Sequence, residues 1–263
     1  MQATRHDSSI VEFQKKRGGD SAAFFIPFLT PDMTLLDVGC GPGAITAVLA
    51  EVVRIVIGVD IEPHAIAAAH RLATNADLMN LAFAEADMTA LPFADGTFDA
   101  AFFHAVLYHQ DRTTLARTLA EARRVLKPGG VLGTRDADVG GNILHPEHDG
   151  VRLALDLWQR WYQHDDQEAL RFGRRQSSIL RVHGLTPVWA GASYVNHSAD
   201  AASRQEAVAD AGRSLRGLGP QLVSRGLAAE SEVDAALAGW DAWGGDPDAV
   251  YFRCRCECVA RKD

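Results

Sequence analysis

Hydrophobic and polar positions alternate with two different periods between residues 34 and 138. Apolar runs rich in β-branched residues, each ended by glycine or a polar residue, predict strands at 34–39, 54–61, 81–87, 98–107 and 131–138. Segments of helical composition lie between them, at 44–52, 63–74 and 112–126. Strands that alternate with helices in this way predict a parallel α/β sheet with right-handed crossovers.

The regular alternation of predicted strands and helices ends after residue 138. The pattern there predicts a loop at 140–150, a helix at 151–163, a strand at 188–195, two or more helices within 200–243 around Gly217–Pro220, and a last strand at 249–262. We therefore expect a seven-stranded, mostly parallel sheet with helices on both faces. A helical cap is inserted in the C-terminal half of the chain.

The composition of the chain argues against some classes of binding partner. The chain has 263 residues, 47% of them hydrophobic, and a formal net charge of -8. Its basic runs, such as Lys15–Arg17, are short and lack interleaved aromatic residues, which argues against nucleic acid as a partner. No apolar run approaches the ~18 residues of a membrane span. Few cysteines and no apolar leader near Met1 predict a cytoplasmic protein.

Three of the four cysteines, Cys254, Cys256 and Cys258, alternate along the last predicted strand and so share one of its faces. A metal site and a buried strand face both fit this spacing. We expect the buried face and no metal.

A glycine loop, LLDVGCGPGA, joins the first strand to the first helix. Gly39, Gly41 and Ala44 match the dinucleotide pattern G-x-G-x-x-G/A, which is weak evidence alone. Asp37 would oppose a pyrophosphate but would suit a cationic amino group or a sulfonium. Asp60 lies 21 residues after Gly39, at the end of the second strand, where a carboxylate can bind ribose hydroxyls.

Further motifs follow this loop in a fixed order. They are Asp37–Gly43, Gly58–Ile61, Glu85–Met88 with Leu91–Phe93, Phe98-Asp99 and Arg124–Gly130. The series resembles class I S-adenosylmethionine-dependent methyltransferases, most closely the ubiquinone/menaquinone-biosynthesis-like small-molecule group. The resemblance is strong over about residues 20–138 and only suggestive over 139–263. It implies a Rossmann-like fold and the cofactor S-adenosyl-L-methionine, which leaves as S-adenosyl-L-homocysteine.

The resemblance also implies roles for single residues. Asp37, Gly39, Cys40, Gly41 and Gly43 would hold the methionine part of the cofactor, and His104 would touch its methionine end. Asp60 would take the ribose hydroxyls and Ile61 would pack near the adenine. Asp87 would accept from the adenine amino group, and the Met88 N–H would meet the ring. Structural alternatives are a turn cap for Asp87, a helix cap for Asp60 and a strand-end histidine for His104.

The same resemblance divides the chain into a cofactor-binding half and a substrate half. Residues 1–138 would form the first, with an N-terminal helical lid. Residues 139–263 would supply the substrate cap helices and the last two strands of the same sheet, within a single domain. Asp136 and Asp138, after the fifth strand, could face substrate, fix an arginine or lie on the surface.

Methyl transfer from a sulfonium is an in-line displacement with a neutral leaving group, so alignment and desolvation can supply much of the rate. A base is required only when the nucleophile carries a proton. Tyr108 and His109 are the candidate catalytic residues. His109 could instead orient its loop or cap the helix at Arg112, and Tyr108 could be packing.

The acceptor is expected to be a small organic molecule. The chain lacks the Asn/Asp-Pro-Pro-Tyr/Phe motif of enzymes that methylate base amino groups. Aromatic residues of the C-terminal half could line an apolar pocket or form its core: Trp158, Trp161, Tyr162, Trp189, Trp240 and Trp243. The alternatives are a non-catalytic binder of the same cofactor and an NAD-dependent oxidoreductase. Asp37 and the lack of a Tyr-x-x-x-Lys pair disfavour the oxidoreductase.

Overall fold

A computed structural model describes residues 19–75, 78–163 and 169–263. The greater part of the predicted N-terminal lid, with Lys15–Arg17, lies outside these residues. Within the described ranges, no helix is both long enough and apolar enough to cross a membrane.

The described residues form eight strands and seven α-helices, besides a helical segment at residues 19–22. The strands are β1 (Thr34–Val38), β2 (Ile55–Asp60), β3 (Leu81–Glu85), β4 (Phe98–His104), β5 (Leu126–Ala137), β6 (Ile143–His145), β7 (Leu185–Asn196) and β8 (Val250–Lys262). The helices are α1 (Ala44–Ala50), α2 (Pro63–Asn75), α3 (Arg112–Val125), α4 (Asp149–Trp161), α5 (Gln176–Val182), α6 (Ala201–Ser224) and α7 (Glu230–Gly245).

The strands form one sheet in the order β3-β2-β1-β4-β5-β8-β6, with β7 paired to β8. Strands β1 to β5 pair in parallel, so their carboxyl ends meet at one edge, where open α/β sheets bind ligands. The predicted class, a mostly parallel α/β sheet, is confirmed, with eight strands in place of seven.

The additional strand and a longer β5 come from pairing that local pattern does not reveal. Strand β6 lies inside the predicted loop 140–150 and pairs antiparallel with β8, Leu144 opposite Tyr251. Strand β5 begins at Leu126, the last residue of the predicted helix 112–126, because Leu126 pairs with Phe98 ahead of a register shift. Both strands depend on a partner that is distant in sequence.

The prediction of two or more helices in the region 200–243 is confirmed, but the break between them lies at residues 225–229 and not around Gly217–Pro220. Helix α6 continues through Pro220 and ends at Ser224, and Gly226 follows with φ +68°. Leu215, Gly219 and Leu222 stay buried on either side of the proline. Packing of this face therefore outweighs the local preference of proline to end a helix.

Two compact units are present. Unit 1 comprises residues 1–136, 175–191 and 257–263, and unit 2 comprises 137–174 and 192–256. The core of unit 1 packs α1 and aromatic residues such as Phe25 and Phe102 against the sheet. The core of unit 2 is formed chiefly by α4, α6 and α7.

Candidate active site

The glycine loop between β1 and α1 is left-handed at three positions. Gly39, Gly41 and Gly43 have φ of +73°, +54° and +83°. A Cβ on Gly39 would lie 2.4 Å from Val106 Cγ2, and one on Gly43 would lie 2.5 Å from Phe83 Cζ. Glycine is required here by backbone conformation and by close packing.

Asp60, at the carboxyl end of β2, fastens this loop. Its Oδ2 accepts from the Gly41 amide at 2.9 Å, and its Oδ1 accepts from the Glu62 amide at 3.0 Å. A carboxylate has about four acceptor positions, so two hydrogen bonds leave room for ribose hydroxyls. The helix-cap alternative and the ribose role are thus compatible in one side chain.

Cys40 faces the interior of unit 1. Its side chain packs with Ile66, Ala69 and Phe83, and its amide donates to the carbonyl of Val59 at 3.0 Å. Burial raises the pKa of its thiol far above the ordinary value. Its contribution to a ligand site is therefore made through the loop backbone.

Asp37 is a buried carboxylate, 2% exposed, at the end of β1. The Thr46 hydroxyl donates to its Oδ2 at 2.6 Å. Burial, with a smaller contribution from the charge of Asp60, raises the pKa of Asp37 to about 7, against the lowering effect of Thr46. Among the described residues no lysine or arginine pairs with it, so a bound cation would find an acid without a counterion.

The region after β2 and β3 has an exposed, partly apolar surface. Ile61 is 64% exposed although it directly follows buried Asp60, as a side chain reserved for an apolar ligand would be. Asp87 is also exposed, and its Oδ1 accepts from the amide and hydroxyl of Thr89, both at 2.8 Å. These hydrogen bonds lower the pKa of Asp87. Asp87 therefore caps a turn, which is the alternative role predicted for it from the sequence. The two hydrogen bonds to Thr89 do not use its Oδ2.

Arg124 has a structural role that the motif series does not reveal. Its guanidinium donates to the carbonyls of Leu91 and Phe93 at 3.0 and 2.7 Å and pairs with Glu121. Glu121 Oε2 accepts from the Leu91 amide at 2.8 Å. Arg124 and Glu121 therefore fix the backbone of the Leu91–Phe93 motif. This motif follows the predicted adenine contacts in the sequence.

His104 ends β4, beside a backbone position of high energy. Ala105 follows it with φ +56°, a left-handed conformation that is rare outside glycine. Arg135 Nη1 lies 3.1 Å from His104 Nε2, and Arg135 Nε lies 3.0 Å from Glu257 Oε1. Sequence reasoning missed Arg135 and Glu257. Both strands also carry other charged residues, such as Asp136 in β5 and Arg255 in β8, so no signal in the sequence singled these two out.

Tyr108 and His109 lie in a 3-10 turn between β4 and α3. Their ring centroids are 3.8 Å apart. Asp111, not His109, caps α3, because its Oδ1 accepts from the Thr114 amide at 2.9 Å. Helix capping is therefore removed from the roles considered for His109.

Asp136 and Asp138 are both buried. Asp136 Oδ2 accepts from the Thr134 hydroxyl at 2.9 Å and from the Gln176 amide group at 3.3 Å. Asp138 binds Arg174 through two side-chain hydrogen bonds of 2.6 and 2.8 Å. Of the roles considered for this pair, fixing an arginine is the one Asp138 fulfils.

The tryptophans do not form one wall. Trp240 and Trp243 are core residues of unit 2, each with its ring edge against Tyr251. Trp161 lies under the Arg225 guanidinium at 4.3 Å, while Trp189 belongs to unit 1. Most tryptophans of the C-terminal half therefore belong to the hydrophobic core of unit 2 or pack against it.

Comparison with known proteins identifies the class of this site. The model of the family described as a methyltransferase domain matches residues 36–133, which include the end of β1, the glycine loop, β2 and β4. The Aspergillus luteorubrus protein named "Probable methyltransferase ltbC" is 28% identical over 98% of this chain and 95% of its own length.

Two further similarities fit the first. The 2-methyl-6-phytyl-1,4-hydroquinone methyltransferase of Synechocystis is 34% identical, over 50% of this chain and 38% of that protein. The structure of phosphoethanolamine N-methyltransferase 2 from Haemonchus contortus, in complex with phosphomonomethylethanolamine and S-adenosylhomocysteine, has a TM-score of 0.55 and 18% identity, covering 94% of this chain and 52% of that one.

The family match falls on the strands and loop that carry the acidic and glycine residues of the site. Its cofactor is S-adenosyl-L-methionine, and a buried acid without a counterion beside a glycine cradle suits that cation. The methyltransferase domain at residues 36–133 and the methyltransferase relatives support a class I S-adenosylmethionine-dependent methyltransferase.

Proposed function

We propose that this enzyme methylates a small organic molecule by in-line transfer. The observation that carries the proposal is the joint geometry of Asp37, the Gly39–Gly43 loop and Asp60 at the carboxyl ends of β1 and β2. S-adenosyl-L-methionine supplies an activated methyl group on a sulfonium. The protein must hold that group, align the acceptor and exclude water.

We assign the cofactor contacts within unit 1. Asp37 attracts the cationic methionine end, and Asp60 binds ribose hydroxyls with the acceptor positions that the loop leaves. Ile61 packs on the adenine, while Asp87 and the Met88 amide contact its edge. The exposed Ile61 beside buried Asp60 supports this order, because apolar and acidic groups face successive parts of one ligand.

Tyr108 and His109 are proposed for the acceptor side. They follow β4 closely, and the partly exposed His109 ring is chemically able to take a proton from an acceptor hydroxyl or amine. An acceptor that is already ionised needs no such base. The dependence of turnover on His109 would therefore report the protonation state of the nucleophile.

We propose that unit 2 is the acceptor-binding cap. A cavity of about 350 Å³ within it is lined by apolar Val139 and Leu155 and by polar Asn142, Gln159 and Arg171. The Gln159 carbonyl oxygen accepts from the Leu170 amide, whereas its buried Nε2 has no hydrogen-bond partner among the described residues. This mixed lining supports a partly hydrophobic acceptor with an oxygen atom.

Charge and relatives support the same class of acceptor. A net charge of -8 disfavours a polyanionic nucleic acid. A relative of 34% identity is named for methylation of a hydroquinone.

Calorimetric titration and an acceptor panel test the proposal. S-adenosyl-L-methionine and S-adenosyl-L-homocysteine should bind, and NAD should not. Quinols, phenols, amines and carbon acids are then offered, with S-adenosyl-L-homocysteine formation as the readout. Turnover on one of these classes is expected. Cofactor binding with no turnover on the panel, but turnover on nucleic acid or protein, would refute a small-molecule acceptor.

A further inference from the structure

Two buried charges lie beside His104 and outside the family motifs. Arg135 in β5 is 4% exposed and Glu257 in β8 is 6% exposed, and their side chains form an ion pair of 3.0 Å. Burying two charges costs several kcal/mol of desolvation, and the attraction between the two charges recovers it only in part. A buried ion pair of this kind is weak evidence for a gain in stability. A second role to consider is that it fixes the conformation of a neighbouring side chain.

Arg135 also reaches the neighbouring strand. His104 and Arg135 are register partners in the parallel pairing of β4 with β5. Arg135 Nη1 lies 3.1 Å from His104 Nε2. A guanidinium can only donate, so this contact requires an unprotonated Nε2 and a neutral ring with its proton on Nδ1.

We propose that Arg135 and Glu257 are positioning residues that hold His104 as its Nδ1–H tautomer, so that His104 is a hydrogen-bond donor to the methionine end of the cofactor and not a base. The inference rests on the proposed cofactor site. Protonation of Nε2 would bring an imidazolium within 3.1 Å of a guanidinium, so His104 is a poor proton acceptor. Burial lowers the pKa of Arg135, and the negative charges of Glu257, Asp20 and Asp136 oppose this effect by favouring the charged guanidinium.

A hydrogen-bond donor on His104 suits only one group of the methionine portion of the cofactor. An N–H group suits the carboxylate of the methionine portion, whereas the ammonium and the sulfonium require acceptors. Asp37 in β1 is such an acceptor, and β1 is the direct neighbour of β4, with Val38 opposite Phe103. Asp37 and His104 therefore offer an acid and a donor on adjacent strands, as a zwitterionic amino acid requires.

Titration with two ligands tests the role of the donor. S-adenosyl-L-homocysteine carries the amino acid portion, and 5′-methylthioadenosine lacks it. For Arg135→Met and His104→Phe, affinity for S-adenosyl-L-homocysteine should fall about tenfold to a hundredfold, while affinity for 5′-methylthioadenosine stays unchanged. Equal losses for both ligands would indicate a merely structural role and overturn the proposal, as would no loss for either.

Nuclear magnetic resonance gives a readout that is independent of binding. Long-range ¹H–¹⁵N spectra should show His104 as the neutral Nδ1–H tautomer, with its signals identified by their absence in His104→Phe. Arg135→Lys, a milder variant should Arg135→Met not fold, should perturb that tautomer, whereas Arg123→Lys should not. An Nε2–H tautomer or an imidazolium in the native protein would overturn the proposal. If the native protein binds neither ligand, the proposed cofactor site fails, and with it the role assigned to His104.

Discussion

The Gly41 amide donates to Asp60 Oδ2 across 2.9 Å, so the acid assigned to the cofactor also closes the loop that receives the cofactor. Ligand binding and loop geometry are thereby joined in one side chain. Loss of the carboxylate should affect both, although sequence motifs alone assign Asp60 only to the ligand.

Asp60→Ala should therefore lower two free energies. Affinity for S-adenosyl-L-homocysteine should fall by about 1–3 kcal/mol, and the free energy of unfolding should also fall by about 1–3 kcal/mol, because the buried Gly41 amide and the part-buried Glu62 amide lose their acceptor. Titration calorimetry and urea unfolding measure the two quantities. Asp234→Ala, which removes an exposed acid from α7, is the matched control and should change neither. An Asp60→Ala protein with native affinity would remove Asp60 from the site.

Gly39→Ala should destabilise the protein more than Gly129→Ala. Both glycines have left-handed φ, +73° and +75°, so each alanine should cost about 1–2 kcal/mol of backbone strain. Only the Gly39 methyl meets a neighbour, Val106 Cγ2 at 2.4 Å, whereas the Gly129 methyl meets nothing within 4 Å. The additional overpacking should cost about 1–3 kcal/mol. Equal urea midpoints for the two variants would contradict this packing argument.

Asp37 should make stability depend on pH. Its folded-state pKa of about 7 is raised above the ordinary 3.8, so the folded state holds the proton more tightly. Its stabilising contribution is therefore full below pH 3.8 and is lost as pH rises to about 7. Asp37→Asn should gain stability relative to the native protein between pH 5.5 and pH 8.5 in urea unfolding. A difference that is constant across this range would show that Asp37 is ionised throughout.

Cofactor binding should release a proton near neutral pH. Burial raises the pKa of Asp37 to about 7 in the unliganded protein, and a cation bound beside Asp37 favours the ionised carboxylate. Calorimetry with S-adenosyl-L-methionine in two buffers of different ionisation enthalpy measures this release. Asp37→Asn should abolish the Asp37 contribution, and identical release by native protein and variant would assign the proton to another group.

His109→Ala should slow turnover and leave cofactor affinity nearly unchanged if His109 faces the acceptor. A base that abstracts a proton contributes about 10²–10⁴-fold to rate. The measurements are kcat with an acceptor found by the panel and calorimetric affinity for S-adenosyl-L-homocysteine. Tyr108→Phe is the matched variant, since it keeps the stacked ring and removes only the hydroxyl. Native kinetics in both variants would leave the pair structural.

The sequence by itself determined the α/β alternation, the positions of β1 to β4 and the class of enzyme. These features are local: apolar runs of strand length, glycines where φ must be positive, and acids at strand ends. The order of the motifs carries the class for the same reason, since three motifs follow the ends of β1, β2 and β3 and two lie at the starts of β4 and β5.

Tertiary structure alone decided the features that depend on distant partners. Strand β6 exists because β8 pairs with it, and α6 passes through Pro220 because its buried face continues beyond the proline. Arg135 contacts both His104 and Glu257, and these two contacts join three strands. His104 and Glu257 are 153 positions apart in the sequence. Local pattern reports only the conformational preference of a segment, whereas a partner for a buried charge is chosen by the folding of the whole sheet.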